Sequence, residues 1–152
     1  MSQMKTLALL ATAAVLSGCL GATTIEVPGD FVPVERCEPY TIKAVSADGV
    51  VLAQRTEDNP KNGTLEFWAA AIGNQLFARE GYKLASNVEA TSESGIPGRL
   101  MTYDALRSGA SFKYLLAVFV KGGKVIVVEA GGRADSVNKL LPQIRTAMMT
   151  VK

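Results

Sequence analysis

Two near-continuous apolar runs, separated by a short turn, constrain the fold of this chain more than any other feature. They cover residues 114–120 and 125–128, and a Lys-Gly-Gly-Lys turn at 121–124 lies between them. A strand with one solvated face alternates apolar and polar residues, whereas a strand buried on both faces does not. We therefore expect an antiparallel hairpin at the centre of a sheet, with other elements covering both faces.

A second hairpin and a helix are predicted before these central strands. Residues 40–47 and 50–55 are β-prone, and Asp48-Gly49 between them is a strong hairpin signal. After turn residues at 59–63, Thr64 can cap a helix, and Glu66 suits its positive end. Apolar residues recur at helical spacing up to residue 79 and predict a sheet-facing side made of Leu65, Trp68, Ala69, Ile72 and Leu76.

The rest of the chain continues the sheet and then closes it with a helix. Gly81 is expected to end the first helix, and strands follow at residues 82–91, 99–107, 112–120 and 125–130. Gly131-Gly132 is interpreted as a turn into the last helix. The order β-β-α-β-β-β-β-α indicates an α+β fold, with helices packed on a mostly antiparallel sheet, in one domain at residues 40–152.

The predicted C-terminal helix contains a proline. Asp135 or Ser136 can cap this helix, and Pro142 predicts a kink or a restart near Leu141 because proline removes a backbone hydrogen bond. The apolar side of the helix is expected to be buried, and it comprises Val137, Leu140, Leu141, Ile144 and Met148.

The element order resembles the Mog1/PsbP-like (DcrB-like) family over residues 40–152. The resemblance rests on the hairpin and helix, on Gly81-Tyr82 after that helix, on the hairpin at 112–130, and on the closing helix at 140–148. The family includes bacterial envelope lipoproteins, photosystem subunits and a small-GTPase binder. The resemblance therefore implies partner binding more than catalysis, and no motif here is specific enough to carry over a functional residue.

The N-terminus resembles the signal peptide of a bacterial lipoprotein. Lys5 precedes an apolar segment that ends at Leu16-Ser17-Gly18-Cys19, which matches a lipobox. The apolar segment is too short to span a bilayer, so residues 1–18 are predicted to be removed. The resemblance implies that Cys19 becomes the lipidated first residue. The alternative is an ordinary signal peptide cleaved nearby.

The segment after the lipobox is predicted to hold the domain near a membrane. Residues 19–39 contain Gly21, Pro28, Gly29 and Pro33 with little apolar periodicity, and they are interpreted as a lipidated tether and lead-in. The residue after Cys19 is Leu20 and not the aspartate that resembles an inner-membrane retention signal. Leu20 therefore favours the outer membrane, with the domain facing the periplasm. The first expected partner is therefore the membrane itself, bound through the lipid anchor.

Charge and composition exclude several classes of protein. Lys5 is the only charged residue among residues 1–18, so 16 basic and 14 acidic residues become 15 and 14 after cleavage, a net charge of +1. Such a balance argues against nucleic-acid binding. The chain has no histidine, which excludes histidine-dependent triads and the commonest metal ligand. We expect no metal and no cofactor.

Cys37 is the one thiol left once Cys19 carries lipid, so an intramolecular disulfide is not available to the mature monomer. The favoured interpretation is a small buried hydrophobic residue. The alternative is an intermolecular disulfide that links a homodimer, which an exported compartment permits. A catalytic thiol is disfavoured because no histidine can activate it.

Four further features carry weaker functional hypotheses. Glu57-Asp58, or Glu89 with Glu93, could supply paired carboxylates, although solvated acids are the favoured interpretation. Gly131-Gly132 could present amides to an anion at a helix N-terminus. Phe67 lies at the edge of the helical apolar side and could contact a partner. Lys121 and Lys124 could touch anionic lipid or cell wall, or simply solubilise a hairpin tip.

Together these observations predict an envelope lipoprotein that is not an enzyme. Its domain is expected to bind an envelope protein at the membrane surface, as an accessory or assembly factor. The alternative is a small-molecule or glycan-binding module, which includes a carboxylate-dependent hydrolase.

Overall fold

The computed structural model describes residues 24–35, 38–78 and 81–152, which form a seven-stranded sheet with a helix on each face. The strands are β1 (Phe31–Pro33), β2 (Ile42–Ser46), β3 (Val51–Asp58), β4 (Lys83–Thr91), β5 (Pro97–Arg107), β6 (Ala110–Lys121) and β7 (Lys124–Arg133), and the helices are α1 (Leu65–Ala78) and α2 (Ala134–Met149). The strand order is β1-β2-β3-β7-β6-β5-β4, and all neighbouring strands are antiparallel. The predicted α+β class is confirmed.

The two apolar runs form the centre of the sheet, as predicted. Strands β6 and β7 are neighbours, and their runs are buried because successive side chains point to opposite, covered faces. One face packs on α2 and includes Leu115, Ala117, Phe119, Ile126 and Val128. The other packs on α1 and includes Met101, Leu116, Val118, Val125 and Val127.

The predicted first hairpin and first helix are also confirmed. Strands β2 and β3 pair around Gly49, whose positive φ of 78° suits a residue without a Cβ. The Thr64 hydroxyl accepts a hydrogen bond from the Phe67 amide at 3.1 Å and caps α1. The predicted apolar side, with Ala69 and Ile72 buried, lies on the sheet.

The junction between β7 and α2 differs from the prediction. Gly131 and Gly132 are not a turn, since they lie within β7: Gly131 pairs with both β3 and β6, and Gly132 pairs with β6. Arg133 occupies the N-cap of α2, and no side chain caps the helix. The helix runs through Pro142 from Ala134 to Met149, so the expected restart near Leu141 does not occur.

The lead-in contributes to the packed structure, which the sequence interpretation missed. Phe31–Pro33 pairs with β2 as an edge strand, and Ile25 and Phe31 are buried in the α2-side core. The Ile25 amide donates to Oε1 of the fully buried Gln54 at 2.8 Å. Residues 24–35 are therefore held against the sheet and are not a free tether.

Helices long and apolar enough to span a bilayer do not occur among the residues that the structure describes.

Candidate functional site: a tyrosine-lined concavity

Helix α1 covers only part of its face of the sheet. It packs against β5 and β6, and beside its C-terminal end the side chains of β2, β3, β6 and β7 border a concavity of about 280 Å³. The residues that shape it include Tyr40, Lys43, Tyr82, Tyr114, Glu129 and Gly131. The concavity is open to solvent. Most of its border lies on paired strands, whereas Tyr40 and Tyr82 lie in the segments just before β2 and β4.

A glycine under an aromatic ring forms the floor. Tyr114 pairs across the strands with Gly131, and a Cβ at Gly131 would lie 2.9 Å from Cδ2 of the tyrosine ring. The ring therefore occupies the space that a side chain would fill. Tyr82 packs against Tyr114 with ring centroids 5.7 Å apart, and the Arg107 guanidinium lies 4.9 Å from the Tyr82 ring centroid.

An ion pair borders this floor. Nε of Arg55 lies 3.0 Å from Oε1 of Glu129, and Nη1 lies 2.7 Å from Oε1 of Glu57. Burial raises the pKa of the Tyr114 hydroxyl, and the neighbouring Glu129 carboxylate raises it further. Tyr114 is therefore a neutral hydrogen-bonding group at physiological pH, and Glu129 is held by Arg55 in a fixed orientation.

The carboxylate pairs considered from the sequence do not assemble into an acidic site. Glu57 and Asp58 both lie on β3, where Glu57 forms an ion pair with Arg55 and Asp58 forms one with Lys124. Glu89 lies exposed on β4, at the opposite edge of the sheet, and Glu93 lies exposed in the turn that follows. The concavity is thus bordered by one carboxylate, Glu129, whereas glycoside hydrolysis by two acids requires a facing pair.

Gly131 and Gly132 do not form the anion site considered from the sequence. Their amides belong to a paired strand, not to a helix N-terminus. Gly131 instead makes room for Tyr114. Gly132 lies close to Val50, because its Cβ would be 3.3 Å from the Val50 Cα atom.

The other predicted positions are distributed as follows. Phe67 is exposed on the first turn of α1, and Lys121 and Lys124 flank the tight β6–β7 turn. Leu16, Ser17, Gly18, Cys19 and Cys37 lie outside the described residues. Among the residues that are described, groups of three or more acidic, cysteine or histidine side chains placed to bind a metal do not occur.

Sequence reasoning missed the residues that build the concavity. Tyr40, Tyr114 and Glu129 line the concavity, and Arg55 pairs with Glu129. These residues come from four separate parts of the chain, and the folded sheet brings them together. The signal available in the sequence was Gly131-Gly132 after an apolar run. It indicated a special backbone position, but it did not indicate which side chain uses the space.

The chain is similar in fold to several solved structures. LpqN, described as involved in cell envelope biogenesis of Mycobacterium tuberculosis, superposes with a TM-score of 0.64 at 13% identity, over 82% of this chain and 78% of LpqN. CyanoP, the cyanobacterial PsbP of Synechocystis sp. PCC 6803, gives a TM-score of 0.64 at 13% identity, over 89% of this chain and 95% of CyanoP. A Pseudomonas aeruginosa protein of unknown function gives a TM-score of 0.57 at 12% identity, over 89% of this chain and 86% of that protein.

These similarities establish the fold. The domain has the Mog1/PsbP-like architecture, an antiparallel sheet with two helices, as the sequence predicted. Comparison with protein-family models and with curated proteins finds no match.

Proposed function

We propose that the protein is a lipid-anchored envelope protein whose domain binds another protein as a non-enzymatic accessory or assembly factor. The observation that carries this proposal is the tyrosine-lined concavity beside α1. Tyrosine and arginine are enriched at protein interfaces, and a tyrosine side chain, with only two χ angles, loses little conformational entropy on binding. Tyr40, Tyr82 and the Arg107 guanidinium provide such a surface.

The volume of the concavity favours a side chain or a short peptide segment over a large ligand. At about 280 Å³ it lies near the lower end of small-molecule sites, which span about 300–1,000 Å³. The neutral Tyr114 hydroxyl and the Arg55–Glu129 pair offer polar contacts on one side. An apolar or aromatic partner residue between the tyrosines would be oriented by these groups.

Two further observations support the envelope part of the proposal. The lipobox-like Leu16-Ser17-Gly18-Cys19 implies export and lipidation at Cys19. One structural neighbour is described as involved in cell envelope biogenesis, and another is a cyanobacterial PsbP. The outer membrane is the membrane we propose, because Leu20 follows the lipidated cysteine.

A small-molecule or glycan ligand is the second candidate. Tyr40 and Tyr82 border the same concavity and could stack on a sugar ring. A hydrolase is not supported by the concavity, because Glu129 stands alone there and is paired with Arg55.

Site-directed photo-crosslinking in the native envelope tests the partner. A benzophenone amino acid is placed at Lys43, which borders the concavity, and in a matched variant at the exposed Arg145 on α2. We expect a discrete protein adduct from position 43 and none from position 145. Equal adducts from both positions, or none from either, would contradict protein binding at this site, and saturable glycan binding would favour the second candidate.

The anchor is tested separately. Cys19→Ala removes the thiol that accepts lipid, so the variant should lose lipid labelling and be left unprocessed or unanchored. Serine replacement of Cys37 serves as the matched control and should leave labelling unchanged. Labelling that persists in Cys19→Ala would refute the anchor.

A further inference from the structure

We propose that one end of the domain lies against the lipid bilayer and that Phe67 is its apolar contact with the membrane. This inference rests on the proposed lipid anchor at Cys19. We call this region the anchor-proximal end, and it comprises the turns at residues 59–63, 92–96 and 121–124 together with the C-terminal end of α2.

The strand register places these turns at the same end of the sheet. Thr56, Ile126, Phe119 and Gly98 lie side by side across β3, β7, β6 and β5. The strands then run to the three turns, and the Asn59 amide donates to the Gly123 carbonyl at 2.8 Å. The Glu93 amide donates to the Met149 carbonyl at 2.8 Å, which brings the end of α2 to the same place.

The chain enters the domain at this end. The Glu26 amide donates to the Thr150 hydroxyl at 2.7 Å, and the Lys152 ammonium lies 3.1 Å from the Glu26 carboxylate. The buried Ile25 is fixed next to it by Gln54. The point at which the N-terminal segment leaves the packed domain is therefore at the anchor-proximal end.

The length of the chain before this point limits how the domain can stand on the membrane. From Cys19 to Thr24 there are five Cα steps, which reach about 18 Å when fully extended. Strand β5 alone, with 11 residues, separates the two ends of the sheet by about 33 Å. The domain thus cannot stand on its opposite end, where Leu106 lies, while Cys19 is attached to the bilayer.

Phe67 is placed to contact that bilayer. Its side chain is 59% exposed on the first turn of α1, and helical side chains lean toward the N-terminus, which here means toward the anchor-proximal end. The ring packs edge-on against Trp68 with centroids 5.5 Å apart. Next to it, Pro60 and Gly63 border an open cavity of about 440 Å³.

Charge at this end is nearly balanced, so the contact is expected to be apolar. Lys124 pairs with Asp58, and Lys152 pairs with Glu26. The remaining exposed charges of the three turns and of the adjoining first turn of α1 are the basic Lys61 and Lys121 and the acidic Glu66 and Glu93. Aromatic side chains at the water–lipid interface are typical of membrane-surface contacts. Contact should therefore change little with salt or with the fraction of anionic lipid.

The fluorescence of Trp68 provides the test, because it is the single tryptophan of the chain and contacts Phe67. The lipidated full-length protein is reconstituted into phosphatidylethanolamine–phosphatidylglycerol vesicles, with or without brominated acyl chains, which quench tryptophan at close range. A matched double variant, Trp68→Phe with Leu106→Trp, moves the tryptophan to the 73%-exposed position at the opposite end. Flotation and circular dichroism verify that both proteins are bound and folded.

We expect brominated lipid to quench Trp68 and to leave the relocated tryptophan unquenched. Phe67→Ser should reduce the quenching, whereas the matched control Leu106→Ser should not. Protein that floats with the vesicles while Trp68 stays unquenched would overturn this inference and leave the anchor intact. Protein that does not float would overturn the anchor, and this inference with it.

Discussion

Gly131→Ala is the most direct test of how the concavity is built. The added Cβ would lie 2.9 Å from Cδ2 of Tyr114, whereas carbon atoms pack at about 3.5–4.0 Å, so the ring must move by at least about 0.6 Å. The ring has little freedom to do so. It packs against Tyr82, and its hydroxyl interacts with Glu129.

The expected cost follows from two opposing effects. Overpacking a well-packed site costs about 1–3 kcal/mol, whereas replacing glycine by alanine within a strand returns about 0.5–1 kcal/mol of conformational entropy. The net loss should be about 1–2 kcal/mol, equivalent to a fall in Tm of about 4–8 °C for a domain of this size. Ligand or partner binding at the concavity should weaken as well, because Tyr114 is displaced.

Urea unfolding of the single variants and of the double variant with Tyr114→Leu measures this coupling. In the leucine background, the cost of Gly131→Ala should largely disappear, because the planar ring is gone. Gly29→Ala is the matched control, since its Cβ meets no atom within 4 Å. Equal stability of Gly131→Ala and the native protein, or the same cost in both backgrounds, would refute the steric argument.

Three further predictions concern the core, the lead-in and alkaline stability. Gly98→Ala places a Cβ 2.5 Å from the ring of the fully buried Phe119 and 2.8 Å from the Val118 carbonyl oxygen. Urea unfolding should therefore show that the free energy of unfolding falls by about 3 kcal/mol, and an unchanged value would contradict this. Gln54→Leu removes the acceptor of the buried Ile25 amide, which should cost about 1–3 kcal/mol and speed hydrogen exchange at that amide; unchanged exchange would show that another group holds the lead-in. The pKa of Tyr114 is raised from 10.0 on folding, so its contribution to stability is complete below pH 10.0 and declines as the pH rises above that value. Tyr114→Phe should therefore lose less stability than the native protein between neutral pH and pH 11, by urea unfolding at each pH, and parallel pH profiles would exclude this role.

The central part of the fold was predictable because its local signals agree with its tertiary environment. The apolar run at 114–120 is long enough to show that both faces of its strand are covered. Asp48-Gly49 forms the hairpin turn that it favours, and Thr64 forms the helix cap that it favours. Strand β1 was missed because three residues that end in Pro33 show no periodicity. Its pairing with β2 depends on the burial of Phe31 in a core made by distant residues.

The concavity was not predictable for a related reason. A Gly-Gly pair after a strand favours a turn, and the sequence contains no local sign that Tyr114 needs the space above Gly131. That requirement appears only when β6 and β7 are aligned. Likewise, Arg55 and Glu129 are 74 residues apart, so their pairing depends on the register of β3 and β7.

The docked lead-in also determines how the domain responds to mechanical force. The chain passes from Ile25 along α2, reverses at residues 28–31, where the Phe31 amide donates to the Pro28 carbonyl, and returns as β1. Tension applied from the N-terminal side therefore loads these contacts one after another, and the three residue pairs between β1 and β2 come last. Peeling residues 24–35 would release about 40 Å of extended chain while β2 to β7 remain paired. Release of this segment would increase the distance that the domain can reach from its N-terminal attachment before its core unfolds.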